Sequence, residues 1–176
     1  MPIRHLAALL ALVAFVALPA CARSPETVAA TVTTAPSATD VGADASDSSA
    51  LPLVVVHKDP YCGCCGSWIE HMRAAGFTVE VRDVTNVMPI KQRVGLPAGK
   101  ESCHTAEVAG YFVEGHVPAD DVKRLLAEAP DARGLAVPGM PAGSPGMEVP
   151  GGHVDPYVVE LIGRDGSTSA YARHGH

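Results

Sequence analysis

The sequence predicts one α/β domain over residues 51–176, built as a mixed sheet flanked by helices. Runs with strand patterning alternate with helically spaced ones, the order expected of an α/β fold. Four cysteines gather at the ends of those runs, in Cys62-Gly63-Cys64-Cys65 and in Cys103-His104. Near residue 50 the composition changes from Ala, Thr, Ser and Asp to that of an ordinary folded core.

Leu53-Val54-Val55-Val56-His57-Lys58 reads as a short buried strand. Gly66 to Ala75 has helical spacing, with Trp68, His71 and Met72 within a turn of one another. Gly76 to Val84 alternates as a strand does. Asn86 to Val94 reads as a short helix stopped by Gly95 and Pro97. Thr105 to Glu114 is strand-like, with Ala109-Gly110 either a turn between two short strands or a kink within one. Pro118-Ala119-Asp120-Asp121 opens a helix that runs through Glu128, with proline and acids in its first turn. Gly134 to Gly152 is rich in Gly, Pro and Met and reads as a long loop, a feature that in compact domains is usually functional or disordered. Tyr157 to Ile162 and Thr168 to Ala172 then close as a hairpin around Gly163-Arg164-Asp165-Gly166. The order strand, helix, strand, helix, strand or hairpin, helix, with C-x-x-C opening the first helix, is similar to the thioredoxin fold. The Gly/Pro/Met loop and the C-terminal hairpin extend it.

Residues 1–21 have the pattern of an export signal. Arg4-His5 precede an apolar run from Leu6 to Ala20 that is short of the roughly 20 residues a spanning helix needs. Leu18-Pro19-Ala20-Cys21 resembles a lipobox, which makes Cys21 the expected lipidation site. Cleavage by ordinary signal peptidase after Ala20 or Ala22, and an uncleaved anchor, are the alternatives. Five cysteines is an odd count for an exported chain, and acylating Cys21 leaves four thiols for the domain. Ala22 follows the lipidation site, and by resemblance to lipoprotein sorting that favours the outer membrane, on its periplasmic side. Residues 22–50 carry almost no large apolar side chains and are expected to form a disordered tether reaching about 30 Å. A net charge of −6 without a basic cluster argues against nucleic acid as a partner.

Thiolates are soft ligands and strong nucleophiles, so the cysteines point to soft-metal binding or thiol redox chemistry. Cys62 and Cys65 stand as C-x-x-C at a helix N-terminus, where the dipole favours thiolate. A plain oxidoreductase does not need the third thiol, Cys64, inside that motif. Tetrahedral zinc usually takes separated ligand pairs, whereas crowded sulfurs suit several bridged Cu(I) ions. Structural disulfides are the alternative; a bond between adjacent Cys64 and Cys65 would be strained, which leaves Cys62–Cys65 or a pair using Cys103. Cys103-His104 precede the third strand, a segment that faces the C-x-x-C turn in thioredoxin-like folds. His104 is either a metal ligand or a neighbour that stabilises thiolate. His116 is a candidate ligand or an exposed loop residue, and Met140 and Met147 are candidate thioether caps or adaptable gap fillers. His71 follows Cys64 by two helical turns, about 10 Å along the axis, so it reads as a neighbour of the ligands or as solvated. Trp68 reads as core, and His174-Gly175-His176 as at most a weak Cu(II) tail.

Three stretches together resemble a known family: KDPYCGCCGSWIEHMRAAGF, ESCHTAEVAGYFVEGHVPADDVKRLL and GLAVPGMPAGSPGME. They are similar to the CopG-type proteins, bacterial exported metal-binding proteins linked to copper resistance and formerly a domain of unknown function. The resemblance covers about Leu53 to Ile162. It implies a thioredoxin-like domain whose Cys62, Cys64, Cys65 and Cys103 hold a small copper–thiolate cluster. The resulting expectation is an exported protein that sequesters Cu(I) or passes it to another copper-handling protein. The alternative is a thiol–disulfide oxidoreductase using Cys62 and Cys65.

Overall fold

The computed structural model describes residues 50–175. The expected export signal, Cys21, nearly all of the expected tether and His176 therefore lie outside the described residues. Val54–Lys58 forms β1, Gly63–Ala74 α1, Val79–Asp83 β2, Met88–Val94 α2 and His104–Val108 β3. Tyr111–Glu114 forms β4, Ala119–Glu128 α3, Ala132–Ala136 β5, Tyr157–Gly163 β6 and Thr168–His174 β7. All seven strands join one mixed sheet in the order β2-β1-β3-β4-β5-β6-β7. β1 and β2 are parallel, β3 runs against β1, and β4 runs against β3. That quartet with its helices is the thioredoxin-like arrangement. α3 returns the chain to β5, parallel to β4, and the β6–β7 hairpin extends the same sheet.

Strand alternation divides the side chains between two layers. Val54, Val56, Ala106, Val108, Val113 and Leu135 point into the main core, where Trp68, Ile69 and Met72 of α1 and Val122 and Leu125 of α3 meet them. On the other layer Phe112, Ala136 and Ile162 pack with Val94 and Leu96, at and beyond the end of α2.

Three details depart from the sequence reading or resolve it. α1 begins at Gly63 rather than Gly66, because Cys62 serves as its N-cap and accepts from the Cys65 N–H. Ala109-Gly110 is a turn between two strands, with both residues in the left-handed region at φ 47° and 85°. The expected loop from Gly134 gives up its first residues to β5. A glycine in mid-strand weakens strand patterning, yet here it is required, since a Cβ on Gly134 would sit 2.0 Å from the Phe112 carbonyl oxygen. Among the described residues no helix is long and apolar enough to cross a membrane.

Candidate metal centre

Strand register brings the cysteines together. Lys58, the last residue of β1, pairs with His104, the first of β3. The chain entering α1 and the residue before β3 therefore meet at one end of the sheet, which sets Cys103 against the C-x-x-C turn. β4 pairs Glu114 with Thr105, so the chain leaving β4 carries His116 back to the same place. β5 runs parallel to β4 and exits there too, and its following segment folds over the group. Gly146 of that segment lies on the first turn of α1: a Cβ there would be 2.6 Å from the Trp68 nitrogen and 2.8 Å from the Cys64 carbonyl oxygen.

The four sulfurs of Cys62, Cys64, Cys65 and Cys103 lie within 4.8 Å of one another. Cys62 and Cys65 are joined as a disulfide, while Cys64 and Cys103 are free. Cys64 Sγ is 3.5 Å from Cys62 Sγ and 3.9 Å from Cys103 Sγ. Cys103 belongs to a second group with His104 and His116, whose ligand atoms are as closely spaced. Its Sγ is 3.1 Å from His116 Nε2 and 3.3 Å from His104 Nδ1.

Both rings are fully buried, and burial holds each below the ordinary histidine range. For His104 the neighbouring His116 and Lys91 push the same way. His116 Nδ1 is 2.8 Å from the Pro145 carbonyl oxygen, which only accepts, so Nδ1 donates and Nε2 turns a lone pair to Cys103. A backbone carbonyl holding the far ring nitrogen is the usual support of a metal-binding histidine. His104 packs on Trp68 with ring centroids 4.5 Å apart, and its Nε2 is buried without a hydrogen-bond partner. The Cys103 thiol is pushed up to about 12, first by burial and then by the neighbouring Cys64 sulfur. This displacement is opposite to the lowering expected at a helix N-terminus, and Cys103 is on no helix.

The other candidates fall differently. His71 is half-buried, and its Nε2 accepts from the Ala119 N–H at 3.0 Å and so caps α3. His116 is buried, not an exposed loop residue. Trp68 is core, and its indole N–H donates to the Val117 carbonyl at 2.9 Å. Met140 stands 53% exposed, while Met147 is half-buried beside Gly146. His174 is engaged by Asp121 at 2.7 Å and stacks on Tyr157, while His176, the other histidine of the tail, lies outside the described residues. Sequence reasoning missed Lys91, Ser102, Thr105 and Glu114, which form a buried polar network behind Cys103. One signal was available, since Glu114 shares the strand phase of buried Phe112.

Comparison with known proteins bears on this site. Residues 100–147 match the family described as "Protein of unknown function, DUF411", a span that holds Cys103, His104 and His116. Two solved structures titled copper resistance protein CopG, Form 1 and Form 2, are 44% and 45% identical to this chain. They superpose with TM-scores of 0.68 and 0.67, covering 72% and 70% of this chain and 99% and 98% of their own. The chain belongs to the CopG family. No curated protein matches it significantly. The likeness to the CopG structures takes in most of the folded domain, whereas the DUF411 match begins at Lys100 and leaves out the C-x-C-C turn.

Proposed function

We propose that this protein binds copper as Cu(I) at the sheet end, through Cys62, Cys64, Cys65 and Cys103, with His104 and His116 at hand. The observation that carries this reading is the convergence of four sulfurs within 4.8 Å. Four sulfurs this close suit a soft ion, and three of them crowded into Cys62-Gly63-Cys64-Cys65, rather than set out in separated pairs, favour shared, bridged ions over a single tetrahedral one. His116, its far nitrogen held by Pro145, suits a ligand role, and the relatives' copper-resistance titles favour copper over other soft metals. Offering all four sulfurs requires reduction of Cys62–Cys65: an external dithiol supplies two electrons and two protons and leaves as a disulfide. In this proposal the protein is exported, anchored at Cys21 to the outer membrane on the periplasmic side, and sequesters copper or passes it to another copper-handling protein. Met140 and Met147 are proposed as thioether donors to ions in transit rather than as fixed ligands.

Anaerobic titration of the reduced domain against a competing Cu(I) chelator tests this. More than one Cu(I) per chain is expected, and Cys64→Ser should remove most of it. One ion or fewer, with Zn(II) held more strongly, would sink the cluster.

A second reading is favoured by the Cys62–Cys65 disulfide at the N-terminus of α1. In it the pair cycles as a thiol–disulfide oxidoreductase: the disulfide oxidises one external dithiol as above, and exchange with a second, external disulfide, which leaves as a dithiol, restores it. Cys64→Ser distinguishes the two: it should leave such cycling intact while abolishing multi-copper loading.

A further inference from the structure

Behind the thiols lies an ion pair that hydrophobic packing does not require. Lys91 is 3% exposed and Glu114 is fully buried. A buried ion pair is often no more stabilising than apolar residues of the same volume, so its value lies in the geometry it imposes. That geometry is specific. Glu114 Oε1 accepts from Lys91 Nζ and from the Ser102 N–H at 2.6 Å. Glu114 Oε2 accepts from the Thr105 hydroxyl at 2.6 Å, and Lys91 Nζ donates a second bond to Thr105 Oγ1 at 3.0 Å. One carboxylate thus grips the two residues that flank Cys103-His104. Its own neighbour Gly115 lies on Ser102, where a Cβ would come within 2.5 Å, and His116 follows.

We propose that Glu114, with its charge balanced by Lys91, is the positioning residue of the metal site. It sets the Cys103-His104 segment against His116 and Cys64. This rests on the copper reading above for its purpose, but the seat of Cys103 can be tested without metal.

The decisive variant is Lys91→Met with Glu114→Leu, which replaces the pair by apolar groups and removes the grip. Three measurements apply: urea unfolding, Cu(I) affinity and charge-transfer spectrum by chelator competition, and the alkylation rate of Cys103 in metal-free reduced protein. The expected result is a folded protein of undiminished stability whose Cu(I) affinity falls at least tenfold, with a shifted spectrum. Cys103 should also alkylate at least tenfold faster, having left its two-histidine seat. Lys91→Met with Glu114→Gln keeps an uncharged acceptor for the Ser102 N–H and should return copper affinity, spectrum and alkylation rate to near wild type. If the apolar pair does not fold, Thr105→Val serves, since it cuts one grip with the charges still paired; a threefold or larger change in alkylation is expected. A folded apolar pair, or failing that Thr105→Val, with wild-type alkylation and wild-type copper binding would overturn the proposal. A wild type that takes up no copper sinks the copper reading instead, and the alkylation rates still decide the positioning role.

Discussion

At the scale of single residues, Cys103 is the pivot, because it touches Cys64, His104 and His116 at once. A thiol pushed up to about 12 is protonated throughout the neutral range, and in the proposed function Cu(I) has to displace that proton to take the sulfur. Raising the pH therefore favours the metal-bound form. Cu(I) affinity should rise at least tenfold for each pH unit between pH 6 and 8, measured with a chelator whose own protonation is corrected for. The histidines do not mask this, since burial keeps both below their ordinary range and ready to bind as neutral rings. An affinity that stays flat across those two units would count against Cys103 as a ligand. The cysteines themselves were legible in the sequence as residues. Their convergence was inferred from the fold, and the buried state of His116 was not legible at all, because it depends on a loop carbonyl contributed from Pro145.

At the scale of elements, α1 does two jobs with opposite ends of its length. Its first turn presents the cysteines, and its last turn presents His71 to the open N-terminus of α3. Helix N-termini leave backbone N–H groups unpaired, and a neutral imidazole nitrogen satisfies that of Ala119. Removing the acceptor with His71→Ala should cost about 0.5–2 kcal/mol, the usual worth of a cap, read as a lower urea midpoint. His71 also carries a pH dependence. Burial, its largest influence, lowers the folded-state value, with Glu148 and Asp120 partly opposing. The unfolded chain therefore takes up the proton first, so this contribution is whole above about pH 6.5 and is lost as pH falls from there through the folded value. His71→Gln keeps an acceptor that does not titrate, and it should flatten the fall in midpoint between pH 7 and 5.5; an unchanged slope would remove His71 from the account. Sequence patterning located α1 but placed its start three residues late, since Gly63-Cys64-Cys65 has no amphipathic signature. It missed β5 for a related reason: Gly134 looks like a loop residue until Phe112 is known to pass against it.

At the scale of the whole molecule, the sheet order was legible as far as local order dictates it. Strand patterning supplied β1, β2, the stretch that became β3 and β4, and the closing hairpin, and the thioredoxin-like core followed from their order. How the hairpin attaches was not legible, because it joins the sheet through β5, the strand that patterning lost. Pattern put Glu114 in phase with Phe112 but could not name its partner, since Lys91 lies 23 residues away in another element and looks solvated until packing buries it. The architecture has a thermodynamic consequence. The proposed ligands come from the start of α1 and, 39 residues on from Cys64, from the two ends of the β3–β4 hairpin, segments that the fold brings together. An unfolded chain would hold the C-x-C-C sulfurs together but not Cys103 or His116, so copper should bind the folded form more tightly. Ligand binding to the native state alone stabilises it by about 2.7 kcal/mol when free ligand is a hundredfold above Kd. For a domain of this size that corresponds to a rise in Tm of about 10 °C. Scanning calorimetry of the reduced domain, anaerobic and with buffered Cu(I), should show this rise. Cys103→Ala should remove most of the gain while leaving the metal-free Tm within a few degrees of wild type. Equal gains in wild type and Cys103→Ala would mean that copper sits on the C-x-C-C turn alone and that the converging strands take no part in holding it.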